Sequence, residues 1–130
     1  MASIDGFKAG HLVAGADLRT TGIHRFGKFD SNGDIVVAGA GERGIGVICN
    51  SPNTGDPVEL DRDGIQMVYA GGSGNGTVAI GPVKCGTNGS VLTATAGFVV
   101  VGQARMAGNA GVLVDVWIGG GTTVPSPPSP

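Results

Sequence analysis

The sequence predicts an all-β domain, a small Gly-rich barrel or sandwich of short strands, and three observations carry that prediction. Val and Ile together number 24 against 8 for Leu plus Met, and β-branched side chains favour the pleated surface of a strand over a helix. Gly supplies 26 of the 130 residues, so the longest Gly-free stretches outside the Pro-rich end, 47–54 and 56–63, are eight residues long. A helix averages about 11–12 residues and loses roughly 0.5–1 kcal/mol for each interior Gly. A helical domain is excluded. The third observation is the recurrence of Asn-Gly and Asp-Gly, which suit the left-handed angles of tight hairpin turns.

The elements follow in chain order. Residues 1–10 read as an extended N-terminal arm with two apolar anchors, Ile4 and Phe7. Residues 11–118 read as the β domain, with strands at 11–14, 22–29, 34–38, 45–50, 57–60, 65–70, 77–80, 91–94, 98–104 and 112–118. Asn32-Gly33, Asp63-Gly64, Asn75-Gly76, Asn88-Gly89 and Ala96-Gly97 stand between these runs as turns. Spacing of this kind indicates a sandwich or barrel. In the last strand, alternation puts Val112, Val114, Val116 and Ile118 on one face and Leu113, Asp115 and Trp117 on the other. Residues 119–130 read as a flexible tail, a Gly spacer followed by extended polyproline.

An echo runs through the domain at an offset of 56 residues. Ile45-Gly46, Gly55, Val58 and Leu60 line up with Val101-Gly102, Gly111, Val114 and Val116. Each set reads as a strand, a Gly turn and an alternating strand, which predicts two related β units.

Charge and motifs narrow the function classes. The net charge is −2, and the eight Lys and Arg are scattered singly. No basic run tracks a phosphate backbone, and no apolar run approaches the roughly 20 residues of a membrane helix. Neither nucleic acid nor membrane is an expected partner. The N-terminus lacks a basic region followed by an apolar core, so synthesis in a reducing cytoplasm is expected. Cys49 and Cys85 are then expected to be free thiols.

The apparent catalytic motifs fail on context. The run 39–44 spells Gly-Ala-Gly-Glu-Arg-Gly, a dinucleotide fingerprint, but a strand-like Ile45-Gly46-Val47-Ile48 follows where a helix is needed. Asp30-Ser31-Asn32-Gly33-Asp34 resembles the opening of a calcium loop without its later Glu, and reads as a polar hairpin turn. Asp61-Arg62-Asp63-Gly64 reads the same way. The run 71–76 has no Lys-Ser/Thr of a phosphate loop, and His11 and His24 have no metal-site spacing. Asn75-Gly76-Thr77 and Asn88-Gly89-Ser90 match glycosylation acceptors formally but read as turns. No catalytic residue, metal or cofactor is expected, and no enzyme.

Two interaction sites remain. An arm carrying Ile4, Phe7, Lys8, His11 and Leu12 is short enough to stay extended, and such a segment can add as a strand to an exposed sheet edge. Trp117, with Leu113 on its face, covers the barrel end, packs on a second layer or contacts another subunit, since Trp is enriched at interfaces. A chain this short, with a fifth of its residues lacking side-chain area, is expected to draw support from a homo-oligomer.

Five segments together resemble a known family. They are 44–60 (Gly-Ile-Gly-Val-Ile-Cys-Asn-Ser-Pro-Asn-Thr-Gly-Asp-Pro-Val-Glu-Leu), 65–72 (Ile-Gln-Met-Val-Tyr-Ala-Gly-Gly), 80–84 (Ile-Gly-Pro-Val-Lys), 101–104 (Val-Gly-Gln-Ala) and 107–116 (Ala-Gly-Asn-Ala-Gly-Val-Leu-Val-Asp-Val). In this order they are similar to the capsid cement, or head decoration, proteins of tailed bacteriophages, over roughly residues 18–118. The resemblance implies a structural virion protein without an active site. It would bind the major capsid protein on the outer capsid surface, commonly as a homotrimer, and clamp neighbouring capsid subunits. The arm and the Pro-Ser tail fall outside it. Two other readings stand beside it. One is another virion β-protein, such as a head-fibre or tail accessory subunit. The other is a carbohydrate-binding module, for which one Trp and one Tyr supply few exposed rings.

Overall fold

The computed structural model of the chain describes residues 12–118. Among the described residues, nine short strands form two antiparallel sheets. The first sheet holds β1 (Phe26–Phe29), β2 (Ile35–Val37), β3 (Gly46–Ile48) and β4 (Leu60–Asp61) in the order β2-β1-β3-β4. The second holds β5 (Gly64–Tyr69), β6 (Gly81–Cys85), β7 (Val91–Thr93), β8 (Gly102–Ala104) and β9 (Leu113–Ile118) in the order β5-β9-β8-β6-β7. A single 3-10 turn, Thr87–Gly89, is the only helical element among the described residues. The expected all-β class holds, and of the two expected architectures no closed barrel forms among the described residues, whose strands make two open sheets.

Turn chemistry sets the hairpins. Asn32-Gly33 joins β1 to β2, with Gly33 at φ 82°, and the Asp30 carboxylate accepts the Asn32 and Asp34 N–H groups at 2.8 and 3.0 Å. The calcium-like motif is thus a self-closed polar turn. Asn88-Gly89 joins β6 to β7 with both residues at positive φ, 57° and 70°. The 39–44 run is a turn that leads into β3, and there the Gly39 N–H donates to the Glu42 carboxylate at 2.6 Å.

The sequence echo is a structural repeat. Shifting every number by 56 superimposes the pairings: Gly27 opposite Val37 becomes Val83 opposite Thr93, and Gly27 opposite Gly46 becomes Val83 opposite Gly102. Val47 opposite Asp61 becomes Gln103 opposite Trp117, and Ile48 opposite Leu60 becomes Ala104 opposite Val116. The bridges shift likewise, from Ala14–Ile35 to Ala70–Val91. Even the connections repeat, since the bond from Ala14 N–H to Asp56 O recurs from Ala70 to Val112, and that from Gly55 to Ala14 recurs from Gly111 to Ala70. Thus β1–β4 correspond to β6, β7, β8 and β9, and among the described residues the β5–β9 pairing has its counterpart only in the bridge of Val13 to Pro57.

The core joins the repeats. Phe26, Ala38 and Val47 of the first pack in one cluster with Val68, Val83, Cys85, Val91, Val114, Val116 and Ile118 of the second. A smaller cluster of Ala14, Leu18, Ile35, Ile48 and Val58 lies within the first repeat, with Leu12 and Leu60 packed against it. Polar contacts also cross: Tyr69 N–H donates to His24 O at 3.1 Å, and the Arg25 guanidinium lies 4.8 Å from the Tyr69 ring centre.

Several strand expectations are corrected. Residues 22–24 form turns rather than the start of β1. The run 77–80 makes only one bridge, Val78 to Gly108, and leaves Ile80 72% exposed. The 98–104 run pairs only over Gly102–Ala104, while Val112 leaves the core face because it follows the Gly111 turn. β6 is a strand where the sequence predicts only a connection.

Candidate interaction surfaces

Alternation along β9 delivers its side chains to two environments. Val114, Val116 and Ile118 are buried, whereas Leu113, Asp115 and Trp117 face outward. Antiparallel pairing with β5 then sets Ile65 opposite Trp117, Met67 opposite Asp115 and Tyr69 opposite Leu113. Side chains directly opposite on one face touch, so Ile65, Met67 and Trp117 make an apolar strip, each more than two-fifths exposed. Gln103 of β8 flanks Trp117, and Arg105 pairs loosely with Asp115 at 3.8 Å.

The repeat supplies an internal comparison for this strip. The positions equivalent to Leu113, Asp115 and Trp117 are Pro57, Glu59 and Asp61, all exposed. The same place in the fold is satisfied by two carboxylates in water. The strip is therefore not required by the architecture, and it is the kind of surface that marks a contact site.

The predicted arm meets the described structure only at its end. Leu12 packs on the smaller core, and its carbonyl accepts the Val58 N–H at 2.8 Å. Ile4, Phe7, Lys8 and His11 lie outside the described residues, as does the tail at 119–130. Trp117 and Leu113 do share one outward face. Ile65 and Met67 complete it, and sequence reading missed both, because only the β5–β9 register shows which side chains stand opposite Trp117.

Among the described residues no three His, Cys, Asp or Glu side chains gather as metal ligands. Cys49 is half-buried and Cys85 buried, and both are free thiols. Burial pushes the Cys85 thiol up to about 12; burial and then the hydrogen bond to Asp61 push Cys49 up to about 11. Neither has the depressed pKa of a reactive thiol. Lys28 pairs with Glu42 at 2.8 Å, and Lys84 lies 3.8 Å from the Phe98 ring centre, tying down the turns before β3 and β8.

Comparison with known proteins adds one finding. No protein-family model matches the chain, and no curated protein matches it. Among solved structures, the chain is similar to the head fiber gp8.5 N base of bacteriophage phi29, with a TM-score of 0.62 at 17% identity. The match covers 84% of this chain and 91% of that one. At this identity the likeness is one of fold.

Proposed function

We propose that the chain is a non-catalytic structural protein of a bacteriophage virion, held on the outer surface of the head as a homo-oligomer. The observation that carries this reading is the extent of the fold match: nearly the whole of a head-fiber base corresponds to nearly the whole of this chain. Fold alone hosts many functions, but the surface agrees. It offers an apolar strip on a rigid sheet. Ile65, Met67, Leu113 and Trp117 form the subunit contact, most simply in a trimer, and the arm with Ile4 and Phe7 reaches the major capsid protein.

Two finer readings follow, a fibre base and a capsid cement. The fold match favours the base; the order of turn-and-strand motifs favours cement. Purified chain mixed with capsids of its own phage that lack it should co-sediment and add density to the head in negative stain. Cement would raise the temperature at which empty capsids break, whereas a fibre base would leave it unchanged. A chain that stays in the supernatant, or decorates only tails, overturns the proposal.

A further inference from the structure

The two repeats meet in a joint whose halves each occur twice in the chain. One half is a face of the first repeat. Ile35 and Ile48 point into the smaller cluster, while Phe26, Ala38 and Val47 point the other way and are buried in the shared core. The other half is the β6–β7 turn of the second repeat, where Gly89 and Ser90 are buried. A Cβ on Gly89 would lie 2.6 Å from Phe26 O and 3.0 Å from Arg25 Cβ. Arg25 donates to Asn88 O at 2.9 Å, and the Gly41 N–H donates to Cys85 O at 2.8 Å.

The 56-residue shift finds both halves again, exposed. The counterparts of Phe26, Ala38 and Val47 are Pro82, Ala94 and Gln103. They too share a face, since Pro82 stands opposite Gln103 and the Ala94 N–H donates to Pro82 O as the Ala38 N–H does to Phe26 O. Pro82 is exposed, and Ala94 and Gln103 are half-buried. The counterparts of Cys85, Asn88 and Gly89 are Phe29, Asn32 and Gly33 in the β1–β2 turn, all exposed. Phe29 is 49% exposed where Cys85 is buried. A Cβ on Gly33 would meet nothing within 4 Å among the described residues.

We propose that copies of this chain bind head to tail by repeating the internal joint: the β1–β2 turn of one copy, led by Phe29, seats on the Pro82–Gln103 face of the next. The sizes are complementary, because the aromatic ring changes sides. The internal joint carries it on the face, as Phe26, with the small Cys85 on the turn. The joint between copies carries it on the turn, as Phe29, with the small Pro82 and Ala94 on the face. Arg25 has Gly81 as its counterpart, so the joint between copies lacks that hydrogen bond and is the weaker of the two. The inference rests on the homo-oligomer proposed above and names what its apolar strip adjoins: Trp117 stands opposite Gln103, so strip and face are continuous. A joint between two different surfaces is heterologous, and it closes into a ring when its rotation divides a full turn, as a trimer requires.

The test is light scattering on two full-length variants, alone and mixed. Phe29→Glu removes the ring from the turn. Gln103→Glu sets a carboxylate on the face, against the acidic Asp30 and Asp34 of the turn. Circular dichroism checks that each keeps the β fold, and Phe29→Ser and Pro82→Ser replace either variant that does not. Each alone should be a monomer. Mixed in equal amounts, they should form a heterodimer and nothing larger, because the intact turn of one meets the intact face of the other. Phe29→Glu of parent mass, or a mixture that stays monomeric, overturns the proposal. If Phe29→Glu keeps the parent mass while Trp117→Ser/Ile65→Ser loses it, the proposed homo-oligomer stands without the head-to-tail joint. A parent chain that is itself monomeric overturns both.

Discussion

Gly102 provides the sharpest test of the packing between β8 and β9. It is not a turn glycine: it sits within β8, and its demand is for space. A Cβ placed there would lie 2.6 Å from Val116 Cγ1, 2.9 Å from the Trp117 carbonyl oxygen and 3.1 Å from Ile118 Cγ2. Val116 is fully buried and could turn only into the shared core. The Trp117 carbonyl belongs to the backbone of β9 and cannot turn at all. Overpacking of this kind costs about 1–3 kcal/mol, and the backbone contact puts Gly102→Ala in the upper half of that range. Removing a glycine from the unfolded chain returns about 0.4–1 kcal/mol. The net expectation is a loss of about 1–2 kcal/mol. With a urea slope of about 1–3 kcal/mol per molar, the midpoint should fall by roughly 1 M at fixed protein concentration. Gly46, its counterpart, would place a Cβ 2.6 Å from the Asp61 carbonyl oxygen. Gly46→Ala should therefore show a loss of the same size. If both variants unfold within about 0.5 kcal/mol of the parent, the close approach of the paired strands is not what these glycines serve.

Two further outcomes follow. If the chain forms the proposed homo-oligomer, Trp117→Ser/Ile65→Ser should reduce it to monomer by light scattering while leaving the far-ultraviolet circular dichroism of the β domain unchanged; a variant of unchanged mass refutes the strip as the subunit contact. Burial holds the Cys85 proton on in the folded state to about 12, above its ordinary value of 9.0, so this thiol contributes stability that is present below pH 9.0 and is lost as the pH rises toward 12. In a Cys49→Ser background, Cys85→Ala should lower the urea midpoint at pH about 8 but flatten its fall toward pH about 10.5; an undiminished slope would show that other groups set the alkaline limit.

The parts of the fold that are readable in the sequence are those governed locally. Asn32-Gly33 and Asn88-Gly89 announce hairpins because both dipeptides carry their own backbone preference, and β9 announces its two faces by strict alternation. β6 is hidden by Gly81 and Pro82, which read as breakers. Pro82 is tolerated because its carbonyl accepts the Ala94 N–H, so its missing donor lies on the side where β7 has already ended at Thr93. The run 77–80 fails in the opposite sense. Val78 is an apolar anchor buried in the core without a ladder, as a strand-like composition alone cannot reveal. For the candidate surface, Trp117 and Leu113 are legible from β9 itself. Ile65 and Met67 are not, because pairing β5 with β9 joins residues some fifty positions apart. The repeat shows through mainly at its turns, where Gly33 and Gly89, Gly41 and Gly97, and Gly55 and Gly111 share positive φ.

A chain made of two units with the same strand order faces a hazard during folding. Every registered strand pair joins residues of one repeat. Each unit can thus begin to assemble before the other, and a strand of one has the geometry to enter the place of its counterpart. Chains built from similar units misassemble in this way, within a molecule or by exchange between molecules. Here the side chains discriminate where the backbone does not. β4 entering beside β8 would carry Asp61 to the place of Trp117 and Arg62 to that of Ile118, setting a guanidinium in the shared core. β9 beside β3 would leave the Ile118 side chain in the exposed position of Arg62. Divergence between the repeats thus acts as a proofreading device: the backbone pattern is held in common, and the side chains keep each strand out of its double's berth.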